Sequence, residues 1–131
     1  MAHTCKDLLV NCKDFRIQKK MMECLLENNL TGDCDHVSPA GGIKNIDYVL
    51  AEIESSLYLH AITEVIISNH TDCGAYESAG PFSSFEEECN FHIEEMKKAR
   101  DLILAKFPSL KLRMVLGKIL PDDKVELEEI N

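Results

Sequence analysis

Positive charge is scarce in this chain of 131 residues: 14 lysines and arginines stand against 23 aspartates and glutamates, for a formal net charge of -9. No basic stripe exists to neutralise phosphates, so nucleic acid is not an expected partner. No apolar run approaches the roughly 20 residues that a spanning helix needs, which argues against a membrane role. The N-terminal segment MAHTCKD has no apolar core of the signal-peptide kind, so export is not indicated and a cytoplasmic location is expected. A C-x-x-C pair is missing, which weighs against a thiol redox protein. Repeats, low-complexity tracts and linkers are missing too. The length suits one domain, residues 1–131, able to bury about two-thirds of its unfolded surface.

What the chain does have is apolar bulk, 45% of its residues, and six cysteines. A core of that size outside an oxidising compartment needs no covalent staples. Cys5, Cys24, Cys34 and Cys89 therefore read as reduced core or surface residues, Cys24 sharing a helical stripe with Met21 and Leu25. His3 and Cys5 could start a second metal site, but two ligands near a terminus are too few by themselves.

The hydrophobic pattern predicts an α/β fold. LLVN before Cys12 and EVIISN before His70 read as short buried strands. Between them come a helix from about Gln18 to Asn29, a short strand from Asp35 to Ser38 and a helix from Ile46 to His60. This crossover pattern makes the first and third strands neighbours. A long amphipathic helix follows from about Ser83, where Ser83 or Ser84 can cap a first turn holding Glu86, Glu87 and Glu88, to Lys106 before Pro108. Leu110 to Leu120 reads as a fourth strand, and the acidic tail Val125 to Ile130 as either an edge strand or a free end. His36, His60 and His92 are expected to have structural roles.

Two runs carry chemistry, and both fall where strands end. Cys12-Lys13-Asp14-Phe15-Arg16 closes the first strand, and His70-Thr71-Asp72-Cys73-Gly74 closes the third. In an open α/β sheet, ligands collect outside the carboxyl ends of strands, so the two runs could meet there. Two thiols and one imidazole suit zinc, and three protein ligands leave a fourth position for water or substrate. Taken alone, Asp14 and Arg16 also suit a solvated ion pair at a helix start.

In these runs the chain resembles the β-class carbonic anhydrases, a family marked by C-x-D-x-R and H-x-x-C. The resemblance is closest over Leu8 to Gly74. It implies a three-layer α/β fold with a central, mainly parallel sheet of four to five strands flanked by helices. It further implies Zn2+ held by Cys12, His70 and Cys73, with Asp14 and Arg16 as a catalytic dyad beside the metal. The activity implied is reversible hydration of carbon dioxide to bicarbonate by zinc-bound hydroxide. Arg16 would hold the Asp14 carboxylate off the metal, and Asp14 would accept a hydrogen bond from that hydroxide. In the family's closed state the same aspartate becomes the fourth ligand. A homodimer or higher homo-oligomer is the implied assembly.

Two departures from the family stand out. Where it commonly has Arg-Asn-Ala-Gly after the second strand, this chain reads Ser38-Pro39-Ala40-Gly41-Gly42. The glycines still permit a tight backbone near a metal, although the string also suits an ordinary turn. The long N-terminal arm of many relatives is not seen, so a dimer is expected to use sheet edges, helix faces or the C-terminal tail. Tyr76 and Phe82 are candidates for the cleft wall. Two other functions remain open: a carbon disulfide or carbonyl sulfide hydrolase on the same fold, and a non-catalytic, zinc-stabilised binding or regulatory protein.

Overall fold

The computed structural model describes residues 3–131. Its elements run β1 (Asp7–Val10), α1 (Phe15–Glu27), β2 (Cys34–Val37), α2 (Ile46–His60), β3 (Glu64–His70), a short 3-10 turn (Gly74–Ala79), α3 (Phe85–Lys106), β4 (Lys111–Ile119), a second 3-10 turn (Pro121–Asp123) and β5 (Val125–Ile130). The five strands form one sheet in the order β2-β1-β3-β4-β5. The first four are parallel, and β5 pairs antiparallel with β4. The α/β expectation is met at the upper strand count, and the tail is an edge strand.

Side-chain alternation explains the layering. Leu8, Val10, Val65 and Ile67 point to one face and pack with Val49 and Ile53 of α2 and Met96 and Ile103 of α3. Leu9, Ile66 and Val115 point to the other and pack with Met21 and Leu25 of α1. Central parallel strands are covered on both faces, which is why β1 and β3 read as continuous apolar runs instead of alternating ones.

Helix α1 starts three residues before the position expected from its apolar stripe. Ile17, Met21 and Leu25 are its buried residues, but Asp14 caps it by accepting a 2.9 Å hydrogen bond from the Arg16 backbone N–H. The cap builds a first turn that contributes no apolar residue to the core apart from Ile17. At α3, Ser84 is the cap, accepting from Glu87 N–H at 3.0 Å. The Glu87 carboxylate in turn accepts from the Ser83 N–H and hydroxyl, so the first turn is held from both sides.

The strand order reverses at β1, which has β2 on one side and β3 on the other. At the amino ends of β1 and β3, Asp7 and Glu64 stand opposite each other in register and are buried. Burial, followed by a hydrogen bond to Glu64 and repulsion from it, pushes the Asp7 pKa up to about 7. The folded chain therefore binds this proton more tightly than the unfolded chain does. The stability it confers is full below about pH 4 and is lost as pH rises through about 7. Asp7→Asn, which removes the charge from this buried position, is expected to raise stability at pH 8 by about 1–3 kcal/mol and to have little effect below about pH 4, where both folded and unfolded chains hold the proton. Urea unfolding at both pH values checks this.

Candidate metal centre

The carboxyl ends of β1 and β3 deliver the two motifs to one place. Cys12 lies two residues past the end of β1, His70 is the last residue of β3, and Cys73 follows after a turn in which Asp72 takes a left-handed φ of 55°. All three side chains are buried, and their ligand atoms lie within 4.8 Å of one another. The sulfurs of Cys12 and Cys73 are 3.8 Å apart.

The ring of His70 is oriented for ligation. Its Nδ1 donates to the Thr71 carbonyl at 2.6 Å, which leaves the Nε2 lone pair free. That Nε2 is buried and has no hydrogen-bond partner among the described residues. An orphaned imidazole nitrogen facing two sulfurs is the donor set zinc prefers, so these residues fit such an ion. Space for the ring comes from β4, where Gly117 pairs with His70 in register. A Cβ at Gly117 would stand 3.0 Å from the His70 Cβ.

The two thiols are electrostatically unequal. A hydrogen bond from Cys73 leads the effects that hold Cys12 far below the usual thiol range, aided by His70 and by the Gly41 N–H, against the opposing effect of burial. The Gly41 N–H reaches Cys12 Sγ at 3.3 Å. Cys73 is pushed the other way by its neighbour's thiolate and by burial. Thiols bind a metal as thiolates, so loading of a divalent cation here would release protons from this pair.

Beside this cluster, Arg16 grips Asp14. Its Nε and Nη2 donate to the two carboxylate oxygens at 3.1 and 2.8 Å. The same guanidinium donates to the Asp72 carboxylate and carbonyl at 2.9 and 3.0 Å, tying the two motifs together. The Arg16 hydrogen bond, against a smaller opposing effect of burial, holds the Asp14 pKa down at about 2. Asp14 Oδ2 lies 3.8 Å from His70 Nε2, so the carboxylate borders the ligand cluster.

Several supporting residues carry no recognisable sequence signal. Gln18 donates to the carbonyls of Cys12 and Asp14 at 2.8 and 2.9 Å, bracing the first motif. It is held in turn by Asn11, whose carbonyl oxygen accepts from Ser38 Oγ. Asn69 bridges Tyr76 and His92 and also accepts the Ile43 N–H. His92 is buried against Tyr76, and burial lowers its pKa to about 4, in keeping with a structural role. Asp72 sits inside the second motif, yet its pairing with Arg16 spans 56 residues and no local pattern announces it. An open cleft of about 580 Å³ adjoins the centre, with Asp14, Cys73, Tyr76 and Phe82 in its wall.

The glycine loop does more than turn. Gly41 and Gly42 both adopt left-handed φ, 85° and 62°, and a Cβ on Gly42 would stand 2.5 Å from the Ser68 carbonyl oxygen. That close approach positions the Gly41 N–H on Cys12. Gly42→Ala is expected to cost about 2 kcal/mol or more, through strain at positive φ and the backbone clash. Guanidinium unfolding of the variant measures it.

The class defined by fold and site is an α/β protein with a buried Cys-His-Cys centre at the switch point of a mainly parallel sheet. Residues 2–130 match the family model described as "Putative carbonic anhydrase", and the chain belongs to that carbonic anhydrase family. An uncharacterised protein of Rickettsia bellii is 33% identical over 117 residues, covering 80% of this chain and 71% of its own length. Another from Rickettsia conorii is 31% identical, with 80% of this chain and 63% of that protein covered. Among solved structures, a carbonic anhydrase from Streptococcus mutans superposes with a TM-score of 0.60 at 20% identity, covering 99% of this chain and 84% of the other. The β-carbonic anhydrase CafA of Aspergillus fumigatus gives 0.58 at 14% identity, with 98% and 76% covered. The apo form of a carbon disulfide hydrolase gives 0.53 at 16% identity, with 90% and 76% covered. At such identities the likeness establishes the fold, which is that of the β-carbonic anhydrases.

Proposed function

We propose that the chain is a zinc enzyme interconverting carbon dioxide and bicarbonate, with Cys12, His70 and Cys73 as metal ligands and Asp14 and Arg16 as the catalytic pair. One observation carries the reading: a buried, partnerless imidazole nitrogen faces two thiols, and an arginine-held carboxylate stands 3.8 Å away. A bound zinc ion supplies the Lewis acidity that makes water nucleophilic near neutral pH.

Each neighbouring residue has a task in this scheme. Asp14, ionised at every working pH, accepts a hydrogen bond and so orients the attacking oxygen toward substrate. Arg16 occupies both carboxylate oxygens, which keeps Asp14 turned from the ligand position and supports the open state over one in which Asp14 ligates. The Gly41 N–H offsets charge on the Cys12 sulfur. Carbon dioxide is small and apolar, and the Tyr76 and Phe82 wall of the cleft suits it.

The proposal extends to one domain over residues 1–131, a cytoplasmic location and a homodimer or larger homo-oligomer. Supporting the last, α1 exposes Phe15 at 84% and Leu26 at 66%, an apolar surface that a second subunit would cover. Hydrolysis of carbon disulfide or carbonyl sulfide is the second reading, favoured by the likeness to a carbon disulfide hydrolase.

The test is stopped-flow turnover of the zinc-loaded chain with each substrate in parallel. Hydration with kcat/KM of about 10⁴ M⁻¹s⁻¹ or more is expected. Turnover of carbon disulfide alone selects the second reading. Zinc bound at the Cys-His-Cys cluster without any turnover overturns both and leaves a zinc-stabilised binding or regulatory protein.

A further inference from the structure

At the opposite pole of the sheet, a second group of ligand-type side chains converges. Cys5 lies on the segment entering β1, Asp35 lies in β2, and His60 is the last residue of α2. A ligand atom from each lies within 4.8 Å of the other two. The ring of His3 lies beside the group, 5.2 Å from the His60 ring between centroids, but its nitrogens are not among the atoms that converge within 4.8 Å. Backbone contacts hold the group together: the Cys5 N–H donates to the His60 carbonyl at 3.1 Å, and Leu8 pairs with Asp35 in the β1–β2 ladder.

We propose that Cys5, Asp35 and His60 form a second metal site, of the zinc type, which the neighbouring His3 completes by turning inward, and that fastens the N-terminal segment to β2 and to the end of α2. Two imidazoles, a thiolate and a carboxylate make a four-ligand set suited to tetrahedral zinc, whereas magnesium and calcium take oxygen ligands. A plain histidine-aspartate pair accounts for only half the group. His60 Nδ1 and Asp35 Oδ2 are 2.7 Å apart, and the Cys5 thiol donates to the Asp7 carbonyl at 3.5 Å, contacts that coordination would replace.

Coordination balances simply. The sulfur–hydrogen bond of Cys5 breaks, its electron pair goes to the metal and its proton to solvent. The His60 Nδ1–Asp35 hydrogen bond opens, with the ring proton carried on Nε2. No oxidant or reductant is involved. Six residues of mostly extended chain separate Cys5 from Cys12, about 20 Å, so the two centres fill independently. The inference does not rest on the proposed activity.

The full chain, stripped and reloaded with excess Zn2+ and then desalted, is expected to carry two equivalents of zinc by elemental analysis. Cys5→Ser and His60→Ala should each carry one, with hydration activity within about twofold of the parent. As a check independent of zinc retention, Co2+ added to the Cys12→Ser/Cys73→Ala chain should give a thiolate-to-cobalt absorption band that disappears when Cys5→Ser is added. Absence of the cobalt–thiolate band in the Cys12→Ser/Cys73→Ala chain, or a zinc content in Cys5→Ser and His60→Ala equal to that of the parent, overturns the site. Loss of hydration with the second equivalent intact counts against the Cys12 centre alone.

Discussion

A chain carrying Cys73→Ala is expected to emerge from desalting without the zinc of the Cys12–His70–Cys73 cluster and without hydration activity. Alanine deletes the sulfur while leaving the Cys73 carbonyl that accepts the Tyr76 N–H at 3.0 Å, so the turn after β3 survives the change. What remains is a two-ligand site, Cys12 and His70, next to a hole where a thiolate stood. Full zinc sites are worth about 10–16 kcal/mol in apparent binding free energy. Loss of one of three ligands is accordingly expected to weaken affinity by about 10³-fold or more. Elemental analysis with circular dichroism as a folding check reads the result. Zinc held unchanged at that cluster would remove the basis of the assignment.

The second large effect belongs to Asp14→Ala, which should retain metal while kcat/KM falls about 10²-fold or more. Alanine also deletes the cap of α1, at a cost of about 1 kcal/mol in stability. Asp14→Asn separates the two roles, because asparagine caps as well as aspartate but carries no charge. Equal rate losses in both variants, with stability lost only in the alanine one, place the effect on the carboxylate. With its pKa held near 2 by Arg16, Asp14 stays ionised through the neutral range, so it is not the group that titrates in a pH–rate profile above pH 5. The ion pair adds stability above about pH 4 that disappears as pH falls toward 2. An unaltered rate in Asp14→Asn would show that the carboxylate does not participate.

Much of this architecture was legible in the residues. Continuous apolar runs flanked by helical stripes announce strands buried on both faces, as β1 and β3 prove to be. The long helix α3 declares itself through three glutamates in its first turn. Less legible was the start of α1, because a cap is a local hydrogen bond and its turn precedes the apolar stripe. The acidic tail was ambiguous for a related reason. Val125, Leu127 and Ile130 are only half-buried, and what makes β5 a strand is the unpaired edge of β4. The Pro-Ala-Gly-Gly string read as a turn near the site, while its contribution, an N–H aimed at the Cys12 sulfur, depends on Gly42 fitting against the Ser68 carbonyl.

At the site itself, the amino-acid order determined which residue types end β1 and β3, and hence the two thiols, the imidazole and the Asp14–Arg16 pair. Local chemistry suffices for that, since strand ends and motif residues are short-range features. Only the tertiary structure decided that Arg16 also reaches Asp72, that Gln18 braces the first motif, and that Cys5 meets Asp35 and His60. These contacts join residues whose separation along the chain carries no periodic signal. Parallel pairing of non-consecutive strands brings them together, and the sheet order that does so is set by the packing of helices on both faces.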